Sequence, residues 1–331
     1  MKAKIYSPTP TNLRRLAAVL RRGGLVAMPT ETVYGLAANA LAARACRAIF
    51  RAKHRPANDP LIVHVLDLAH AEQLAEFNAA ARQLARRFWP GSLTLVLPKK
   101  TCVPGIVTAG GPTVALRAPA HPLARRLLRL AGVPLAAPSA NPFGYISPTT
   151  AAHVVDGLGR RIPHVLDGGA CTVGVESTVL DLTDPARPRV LRPGAVTADQ
   201  LQKFLGVTVR QARRGAKQGR GRARQLAPGM MERHYSPRTP LALRNPGAKP
   251  PPGVAVILLR KPAKPSAKNV FWLSKTGALA EVARNLYQVL RRADQGGCRQ
   301  IWIEPLPEDS GGLATAINDR LKRAAARKPG R

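Results

Sequence analysis

The sequence predicts an α/β protein with two domains, and three observations support that prediction. Short apolar runs that suit buried strands alternate with segments whose apolar residues recur at helical spacing, a pattern typical of a mixed, largely parallel sheet with helices. The chain has 331 residues, 45% of them hydrophobic and 4% aromatic, which is enough for cores made mainly of Ala, Leu and Val. A Gly-, Gln- and Arg-rich segment separates two such patterns. We expect a first domain over 1–207, a basic flexible linker or lid over 208–239, and a smaller α/β domain over 240–331.

The first domain opens with a helix and then alternates strands with helices. Leu13, Leu16 and Leu20 follow helical spacing, with Thr11 as the predicted cap and Gly23 as the stop. The next predicted elements are a strand at 25–28, a helix at 41–52, a strand at 61–66, a helix at about 70–88, strands at 92–97 and 113–117, a helix at 122–131, short strands near 135, 164 and 178, and a helix after Thr197.

The α/β pattern resumes after residue 239. Strands are predicted at 253–260, 269–273 and 301–305. Thr276 is the predicted cap of an amphipathic helix, and a final helix is predicted from Gly312 to about residue 326.

The chain is strongly basic, with a net charge of +34 at pH 7. The excess is densest over 208–238, where nine basic residues accompany one acid. Such a charge suits polyphosphate substrates, RNA or both. A generally Arg-rich composition explains the excess outside the motifs equally well.

Several classes of protein are excluded or disfavoured by what the sequence lacks. It has no apolar run near the ~18 residues that cross a bilayer, and its N-terminus lacks the apolar stretch of a secretory signal, so we expect a soluble cytoplasmic protein. Its cysteines are widely spaced and predict single buried thiols rather than a zinc site or disulfide scaffold; they are Cys46, Cys102, Cys171 and Cys298.

Strongly polar turns take the place of the common nucleotide and hydrolase motifs. The sequence has no GxxxxGK[ST], no GxGxxG after a strand, no GxSxG and no HExxH. Polar turns instead lie beside predicted strands at 29–36, 53–56, 88–91, 138–141, 174–178 and 192–194. Hydroxyls, backbone amides and basic side chains at strand ends are groups that hold anions.

Taken singly, these residues have ordinary structural explanations. Thr32 can serve as a helix cap, His64 as a solvated strand residue, and Arg117 as a surface charge. Ser139 and Asn141 can simply form a turn between two prolines.

Taken in order, the motifs carry a specific resemblance. They are PTETVYGL, KHRP-NDPLIVHV, FWPGSLTLVLP, VALRAPAHP, PSAN-ISPT, DGG-VGVESTVLDL and LRPGAV, and they cover about residues 5–206. This series closely resembles the threonylcarbamoyl-AMP synthase family of the YrdC-like superfamily. The segment PGMMERHYSPRTPL at 228–241, with the α/β pattern after it, resembles the long, two-domain form.

The resemblance implies both a fold and a reaction. The fold is a YrdC-like twisted open mixed sheet with helices, followed by a linker and a smaller Rossmann-like α/β domain. The reaction joins L-threonine, bicarbonate or CO2, and ATP into threonylcarbamoyl-AMP with release of pyrophosphate. Mg2+ would accompany the ATP phosphates, with no protein metal ligand expected. A separate tRNA threonylcarbamoyl transferase would then modify tRNA beside the anticodon.

The resemblance also implies site residues. Lys53 and Arg55 are the candidates for catalysis at the ATP phosphates. The residues on the L-threonine side are Thr32, His64, Arg117, Ala137 and Ser177. The residues on the ATP side are Lys53, Arg55, Asp59, Thr113, Ser139, Asn141, Ser147, Arg192, His234 and Tyr235.

Three features depart from this simple assignment. Asp59 stands where an Asn or His is expected, and a carboxylate near a triphosphate is repulsive unless it points away or meets Mg2+. Ala137 stands where a hydroxyl residue is common. The run 210–224 is more basic than a lid requires, which leaves a solvated linker and an added RNA contact both open.

A second interpretation of the same fold is a double-stranded RNA or tRNA binder without catalysis, because fold alone does not give function. Small hydroxyls beside basic residues, as at Ser139 and Ser177, favour the synthase, since a pure RNA binder does not need them.

Overall fold

The predicted α/β class is confirmed in the computed structural model, which describes residues 3–212, 234–244, 249–263, 267–307 and 310–326. The first eleven strands form one sheet in the order β1-β8-β2-β3-β7-β4-β6-β5-β9-β10-β11. These strands are β1 (Lys4–Tyr6), β2 (Val26–Met28), β3 (Gly35–Asn39), β4 (Ile62–His64), β5 (Leu93–Pro98), β6 (Thr113–Arg117), β7 (Leu135–Ala136), β8 (His164–Leu166), β9 (Thr178–Asp181), β10 (Arg189–Arg192) and β11 (Arg210–Gln211).

The sheet is mixed, but it is less parallel than the sequence predicts. Five of its ten strand pairings in the described residues are parallel and five are antiparallel. The difference arises at short connections such as that between β2 and β3, because a short link can only reverse the chain.

Seven helices of the described residues cover this sheet and bury their apolar faces in two clusters. They are α1 (Pro10–Arg21), α2 (Ala43–Lys53), α3 (Leu68–Glu72), α4 (Ala79–Phe88), α5 (Pro122–Ala131), α6 (Ala151–Leu158) and α7 (Ala198–Leu205). As the composition predicts, Ala, Leu and Val dominate both clusters. These cores are therefore filled by closely packed small and medium-sized aliphatic side chains, with few aromatic rings.

The predicted helix over 70–88 is wrong in its middle, where the chain is extended. Ala75 forms a bridge with Lys99, and Glu76 N donates to Pro98 O at 2.9 Å. These contacts extend the end of β5, so the helix must stop. It restarts at α4, where the Asn78 side chain accepts from Ala81 N.

Both predicted caps lie near the observed helix starts but are wrong in detail. Thr9 rather than Thr11 caps α1, because Pro10 takes the first helical position. In the second domain α8 (Leu279–Gln295) begins after Ala278. The turn before it is held by Ser274 Oγ, which accepts from Thr276 N and Gly277 N.

The second domain has a parallel four-stranded sheet in the order β12-β15-β13-β14. Its strands are β12 (Leu241–Leu243), β13 (Val254–Arg260), β14 (Val270–Ser274) and β15 (Gln300–Ile303). The helices α8 and α9 (Gly312–Ala325) pack on it. This agrees with the predicted smaller α/β domain.

The two domains share a hydrophobic cluster. Val33, Ile146 and Val175 of the first domain belong to the same buried cluster as α8, α9 and the second sheet. Burial of apolar surface is the main favourable term in such packing, so the second domain is held firmly beside the loops that contain these three residues.

Two smaller expectations have mixed outcomes. All four cysteines are free, but Cys102 is exposed rather than buried and Cys298 is half-buried. In the described part of the chain, no helix combines the length and apolar character that a membrane span needs.

Candidate active site

A pocket lies over one face of the first sheet, where β4, β6 and β7 meet. Ile62 and His64 both line it, because alternate residues of a strand face the same side. Arg117 of β6 pairs in register with His64. The predicted site residues that line the pocket are Thr32, Arg55, His64, Arg117, Ala137, Ser139, Ser177, Arg192, His234 and Tyr235.

An ion pair between Arg117 and Glu31 fixes one part of the pocket wall. Arg117 Nη2 lies 2.6 Å from Glu31 Oε1, and both side chains are almost fully buried. Arg117 Nη1 donates to Thr32 Oγ1 at 2.9 Å and Nε donates to Gly91 O at 3.1 Å. Burial raises the pKa of Glu31, but the charge and hydrogen bond of Arg117 outweigh it and hold that pKa below its ordinary value. Arg117 is therefore a buried cation rather than a surface charge.

Thr32 is part of a hydroxyl pair, not a helix cap. Its Oγ1 lies 2.9 Å from Thr30 Oγ1, and Thr30 Oγ1 donates to Val33 O at 2.6 Å. The turn 30–33 is thus folded around the Thr30 side chain, which leaves Thr32 and Arg117 side by side at the pocket wall.

Ser177 and Arg192 form a second polar wall. Arg192 Nη2 donates to Ser177 Oγ at 3.1 Å and Nε donates to Ser177 O at 3.1 Å. Ser177 Oγ also lies 2.7 Å from Thr94 Oγ1 of β5. Gly194 allows this approach, because a Cβ there would overlap the backbone of Glu176, Ser177 and Thr178.

Two pocket histidines are neutral. Burial, together with the Arg117 charge, lowers the pKa of His64 to about 3. Burial lowers the pKa of His234 to about 3. The Glu176 charge opposes this shift, and nearby basic groups add to it. His64 is 3% exposed, so it is a buried wall residue rather than a solvated strand residue.

Arg55 lines the pocket and is held from behind by Asp59. Asp59 Oδ1 lies 2.9 Å from Arg55 Nη2, although neither Asp59 oxygen accepts a hydrogen bond among the described residues. Arg55 Nε and Nη2 also donate to the carbonyls of Asp59 and Pro60. Asp59 is fully buried and does not line the pocket. Its carboxylate therefore orients Arg55, and the place of Asp59 on the ATP side stays a prediction.

Lys53 lies behind the pocket wall and does not face its interior. Its Nζ donates to Ser139 O and Asn141 O, both at 2.5 Å, and the residue is 1% exposed. Burial and the neighbouring Arg55 charge lower its pKa well below the ordinary value. In this structure the amino group fixes the 138–141 turn, and a phosphate contact for Lys53 stays a prediction.

Three further predicted residues lie outside the pocket wall. Asn141 Nδ2 donates to Pro142 O and Tyr145 O, which holds its loop. Ser147 Oγ donates to Glu176 Oε1 at 2.6 Å. Thr113 begins β6, at the opposite end of that strand from Arg117.

His234 and Tyr235 reach the pocket from the segment that joins the domains. His234 N donates to Arg323 O of α9, and the rings of His234 and Tyr235 lie 4.1 Å apart. The His234 ring also meets Phe143 edge-on, and the Arg55 guanidinium lies 6.0 Å from that Phe143 ring. Most of the predicted lid and of the basic run 210–224 lies outside the described residues.

Several buried polar atoms of the wall have no hydrogen-bond partner among the described residues. They are His64 Nδ1, His234 Nδ1 and Tyr235 Oη. Buried polar atoms are nearly always paired in folded proteins, so these three atoms are groups that water or a bound polar ligand would satisfy.

Sequence reasoning missed two carboxylates that organise the wall, Glu31 and Glu176. Both lie inside quoted motifs, at PTETVYGL and GVEST. A signal was present, since an isolated acid next to a hydroxyl residue in so basic a chain is a natural partner for arginine. The pairing itself spans 86 residues for Glu31 and 144 for Glu176, which spacing alone cannot give.

Fold and site together define an α/β protein with a pocket lined by buried arginines and hydroxyls, and such groups are the ones that pair with carboxylate and phosphate. Comparison with known proteins makes the class specific. A family model described as "Telomere recombination" (Sua5, YciO and YrdC) matches residues 18–194. A model described as "Threonylcarbamoyl-AMP synthase, C-terminal domain" matches residues 196–326.

Similar proteins cover nearly the whole chain. Threonylcarbamoyl-AMP synthase from Pyrococcus abyssi is 41% identical over 327 residues, which is 95% of this chain and 94% of that protein. The Bacillus subtilis protein of the same name is 39% identical over 96% of this chain and 94% of its own length. The crystal structure of P. abyssi Sua5 complexed with L-threonine has a TM-score of 0.87 at 39% identity and covers 98% of both chains. The chain belongs to the threonylcarbamoyl-AMP synthase family, in its two-domain form.

Proposed function

We propose that this protein makes L-threonylcarbamoyl-AMP from L-threonine, bicarbonate or CO2, and ATP, with release of pyrophosphate. The observation that carries the proposal is that one pocket is lined by Arg117 and Thr32 together with Arg55 and Arg192. We assign Arg117 and Thr32 to an amino-acid end of this pocket and Arg55 and Arg192 to a nucleotide end. An amino acid and a nucleotide can therefore meet over one face of the sheet. The relatives support the catalytic interpretation and not the RNA binder without chemistry.

The amino-acid end suits threonine. The Arg117 guanidinium is positioned to pair with the amino-acid carboxylate, and Thr32 and Ser177 offer hydroxyls to its polar groups. His64 is neutral, because its pKa lies far below its ordinary value, so it provides a hydrogen-bonding wall without repelling the ammonium group. Ala137 contributes a small apolar surface, which suits the threonine methyl group.

The nucleotide end suits a triphosphate and its base. Arg55 and Arg192 would bind phosphate oxygens, with Ser139 as a further polar contact and the His234 and Tyr235 rings as the wall around the nucleoside. Lys53, Asp59, Asn141 and Ser147 act behind this wall by holding its loops and Arg55. The sequence-based role of Thr113 stays a prediction.

The chemistry needs no nucleophile from the protein. The threonine nitrogen bonds to the carbon of CO2 and keeps one of its three ammonium protons, while the other two leave to solvent. With bicarbonate, one of those two protons leaves instead with the hydroxide as water. The new carbamate oxygen then attacks the α-phosphorus of ATP. The bond from that phosphorus to the oxygen bridging the β-phosphorus breaks, and its electron pair leaves with pyrophosphate. Positioning and fixed positive charge supply the catalysis, and the enzyme is in this sense a nucleotidyltransferase.

Mg2+ would enter as part of the substrate. No group of three or more His, Cys, Asp or Glu side chains in the described residues is placed to hold a metal ion. Asp59 is buried against Arg55, and the Glu176 oxygens accept from protein donors. These residues do not fit a resident metal site, so we propose that Mg2+ arrives on the ATP phosphates.

The product would serve tRNA modification. Threonylcarbamoyl-AMP is a mixed anhydride, so a transferase that acts on tRNA adenosine beside the anticodon must consume it promptly. We propose a cytoplasmic place for this step and such a transferase complex as the downstream partner. A tRNA contact through the run 210–224 stays a prediction.

Threonine-dependent pyrophosphate release tests the proposal. We expect release from ATP to require both L-threonine and bicarbonate, and mass spectrometry to find threonylcarbamoyl-AMP. L-2-aminobutyrate, which lacks the hydroxyl, should be used more than about 100-fold less efficiently, because it leaves buried polar groups unpaired. Release that ignores threonine, or an adenylylated polypeptide, would overturn the proposal.

A further inference from the structure

Glu176 connects the active site to the second domain. It lines the pocket beside Ser177, yet it is 5% exposed and sits deep in the wall. From the first domain, Ser147 Oγ donates to its Oε1 at 2.6 Å. A buried carboxylate is unfavourable unless charged and polar donors surround it, and much of that surrounding comes from the other domain.

Tyr287 of α8 and Arg320 of α9 supply these donors. Tyr287 Oη lies 3.1 Å from Glu176 Oε1 and 2.9 Å from Oε2, and Arg320 Nε donates to Oε2 at 2.9 Å. Both residues are fully buried. Arg320 Nη1 also donates to Pro193 O at 2.7 Å, in the turn that follows Arg192. The second domain thus contacts both the Glu176 and the Arg192 sides of the wall.

The same two side chains hold Tyr235. The Tyr287 ring stacks on the Tyr235 ring at 5.9 Å between centroids, and the Arg320 guanidinium carbon lies 5.3 Å from the Tyr235 centroid. Tyr235 has a φ of 62°, a left-handed conformation that is unfavourable for a residue with a side chain. The packing of Tyr287 and Arg320 offsets that cost and keeps Tyr235 at the pocket.

Electrostatics indicate that Glu176 is ionised in this setting. Burial raises its pKa, but the charges of Arg320 and Arg192 and the hydrogen bonds of Ser147 and Arg320 outweigh it and hold the pKa below its ordinary value. Without Arg320, the Glu176 carboxylate would remain buried but would lose its charged hydrogen-bond donor from α9.

We infer that Tyr287 and Arg320 are positioning residues of the active site, through which the second domain completes the nucleotide end of the pocket. They act on a ligand through Glu176, through Tyr235 and through the Pro193 carbonyl beside Arg192. Tyr235 is itself a nucleotide-side wall residue, and Glu176 fixes Ser147, which the sequence also assigns to the ATP side. The inference rests on the proposed function and assigns the second domain a direct part in it.

Binding of a non-hydrolysable ATP analogue to the full-length protein tests the inference. We compare wild type with Arg320→Met, which removes the charge but keeps a long stem, and with Tyr287→Phe, which removes only the hydroxyl. Arg292→Met is the matched control, because Arg292 is exposed on α8 and packs over Phe271. Calorimetry below the melting temperature of each variant gives the dissociation constants for the analogue and for L-threonine.

We expect Arg320→Met to weaken analogue binding at least tenfold, about 1.4 kcal/mol, while threonine affinity changes less than about threefold. Tyr287→Phe should weaken binding of the analogue by a smaller factor, about three to ten. If Arg320→Met does not fold, Tyr287→Phe alone tests the inference. Arg292→Met should match wild type. A purely structural role would lower the melting temperature and leave both dissociation constants unchanged, and that result would overturn the inference.

Replacing Glu176 in the Arg320→Met variant tests whether Arg320 acts by positioning Glu176 or by stabilising the protein as a whole. The neutral amide that Glu176→Gln introduces still accepts from Tyr287 and Ser147 but needs no charged partner. The double variant Glu176→Gln/Arg320→Met should therefore bind the analogue at least as well as Arg320→Met alone. Fully additive losses would mean that Arg320 does not act through Glu176.

Failure of the proposed function would look different. A wild-type protein that neither binds the ATP analogue nor releases threonine-dependent pyrophosphate would contradict the proposed function itself. A wild type that does both, with an Arg320→Met variant that binds the analogue equally well, would contradict only the role of the second domain.

Discussion

Individual arginines in this pocket depend on buried acids, and Arg117 with Glu31 shows the dependence most directly. Glu31 Oε1 meets Arg117 Nη2, while Glu31 Oε2 accepts from Ala120 N at 3.1 Å. The carboxylate therefore ties the guanidinium to the backbone after β6. An arginine that binds substrate must be held at a fixed place, and a buried acid does this better than a solvated one.

We predict that Glu31→Gln weakens L-threonine binding about tenfold, because Arg117 loses its charge-assisted anchor. Calorimetric titration with threonine measures the effect. Glu72→Gln is the control, since Glu72 and Arg82 form an exposed ion pair at 2.7 Å whose loss should cost within about 0.5 kcal/mol of stability. Tighter threonine binding in Glu31→Gln would instead show that Glu31 competes with the substrate carboxylate.

The neutral state of His64 gives stability a predictable pH dependence. Its pKa is about 3 in the folded protein, against about 6.5 in an unfolded chain. As the pH falls below 6.5, the unfolded state binds a proton that the folded state refuses. The stabilising contribution is thus fully present above pH 6.5 and is lost as the pH falls from there towards 3.

We predict that His64→Gln makes the unfolding free energy fall less steeply between pH 6.5 and 4.5, by up to ~1.4 kcal/mol per pH unit. Urea titrations at several pH values measure this slope. His54→Gln, at an exposed residue that ends α2, serves as the control. Equal slopes for wild type and His64→Gln would mean that His64 is not held neutral by the fold.

At the scale of elements, apolar periodicity predicted what each segment buries better than where it begins or ends. The strands at 92–97 and 113–117 and the helix at 122–131 agree closely with β5, β6 and α5. β3 (Gly35–Asn39) was missed because Gly, Ala and Asn have little intrinsic strand preference. Its pairing with β2 and β7 decides its conformation, and such partners are not visible in a local window.

The same limit applies to the candidate site. Ten of the residues that the motifs predicted for the site line the pocket, because the motifs belong to a family that shares this fold. It could not show that Lys53 turns away to bind the carbonyls of Ser139 and Asn141. The direction of a long side chain depends on packing against loops distant in sequence.

Gly194, just after β10, tests whether the site requires the backbone after β10 to lie close to the backbone before β9. A Cβ at this position would overlap the backbone from Glu176 to Thr178. We predict that Gly194→Ala separates Arg192 from Ser177, destabilises the fold by about 1–3 kcal/mol and weakens binding of both threonine and the ATP analogue. Gly105→Ala is the control, because the nearest heavy atom to its added Cβ would be 4.0 Å away. Wild-type stability and binding in Gly194→Ala would contradict the close approach.

At the scale of the whole molecule, the two domains form a joint structure rather than two independent units. Val33, Ile146 and Val175 of the first domain are buried in a cluster with residues of α8, α9 and the second sheet. Gly174 approaches the backbone of α8 so closely that a Cβ there would overlap Ala283 O and Arg284. Arg291 of α8 donates to Ile146 O at 2.6 Å from a fully buried position.

These contacts predict that the two domains unfold in one transition. Separating them would expose the shared apolar cluster and break the bonds of Glu176 to Arg320 and Tyr287 and of Arg291 to Ile146 O, and exposing buried apolar surface to water is unfavourable. Neither domain then has a stable folded state of its own in the range where the other unfolds. Scanning calorimetry of the full chain should show a single peak whose van't Hoff and calorimetric enthalpies agree. Arg320→Met should move that whole peak to lower temperature without splitting it, whereas two resolved peaks in the wild type would show that the shared cluster does not couple the domains.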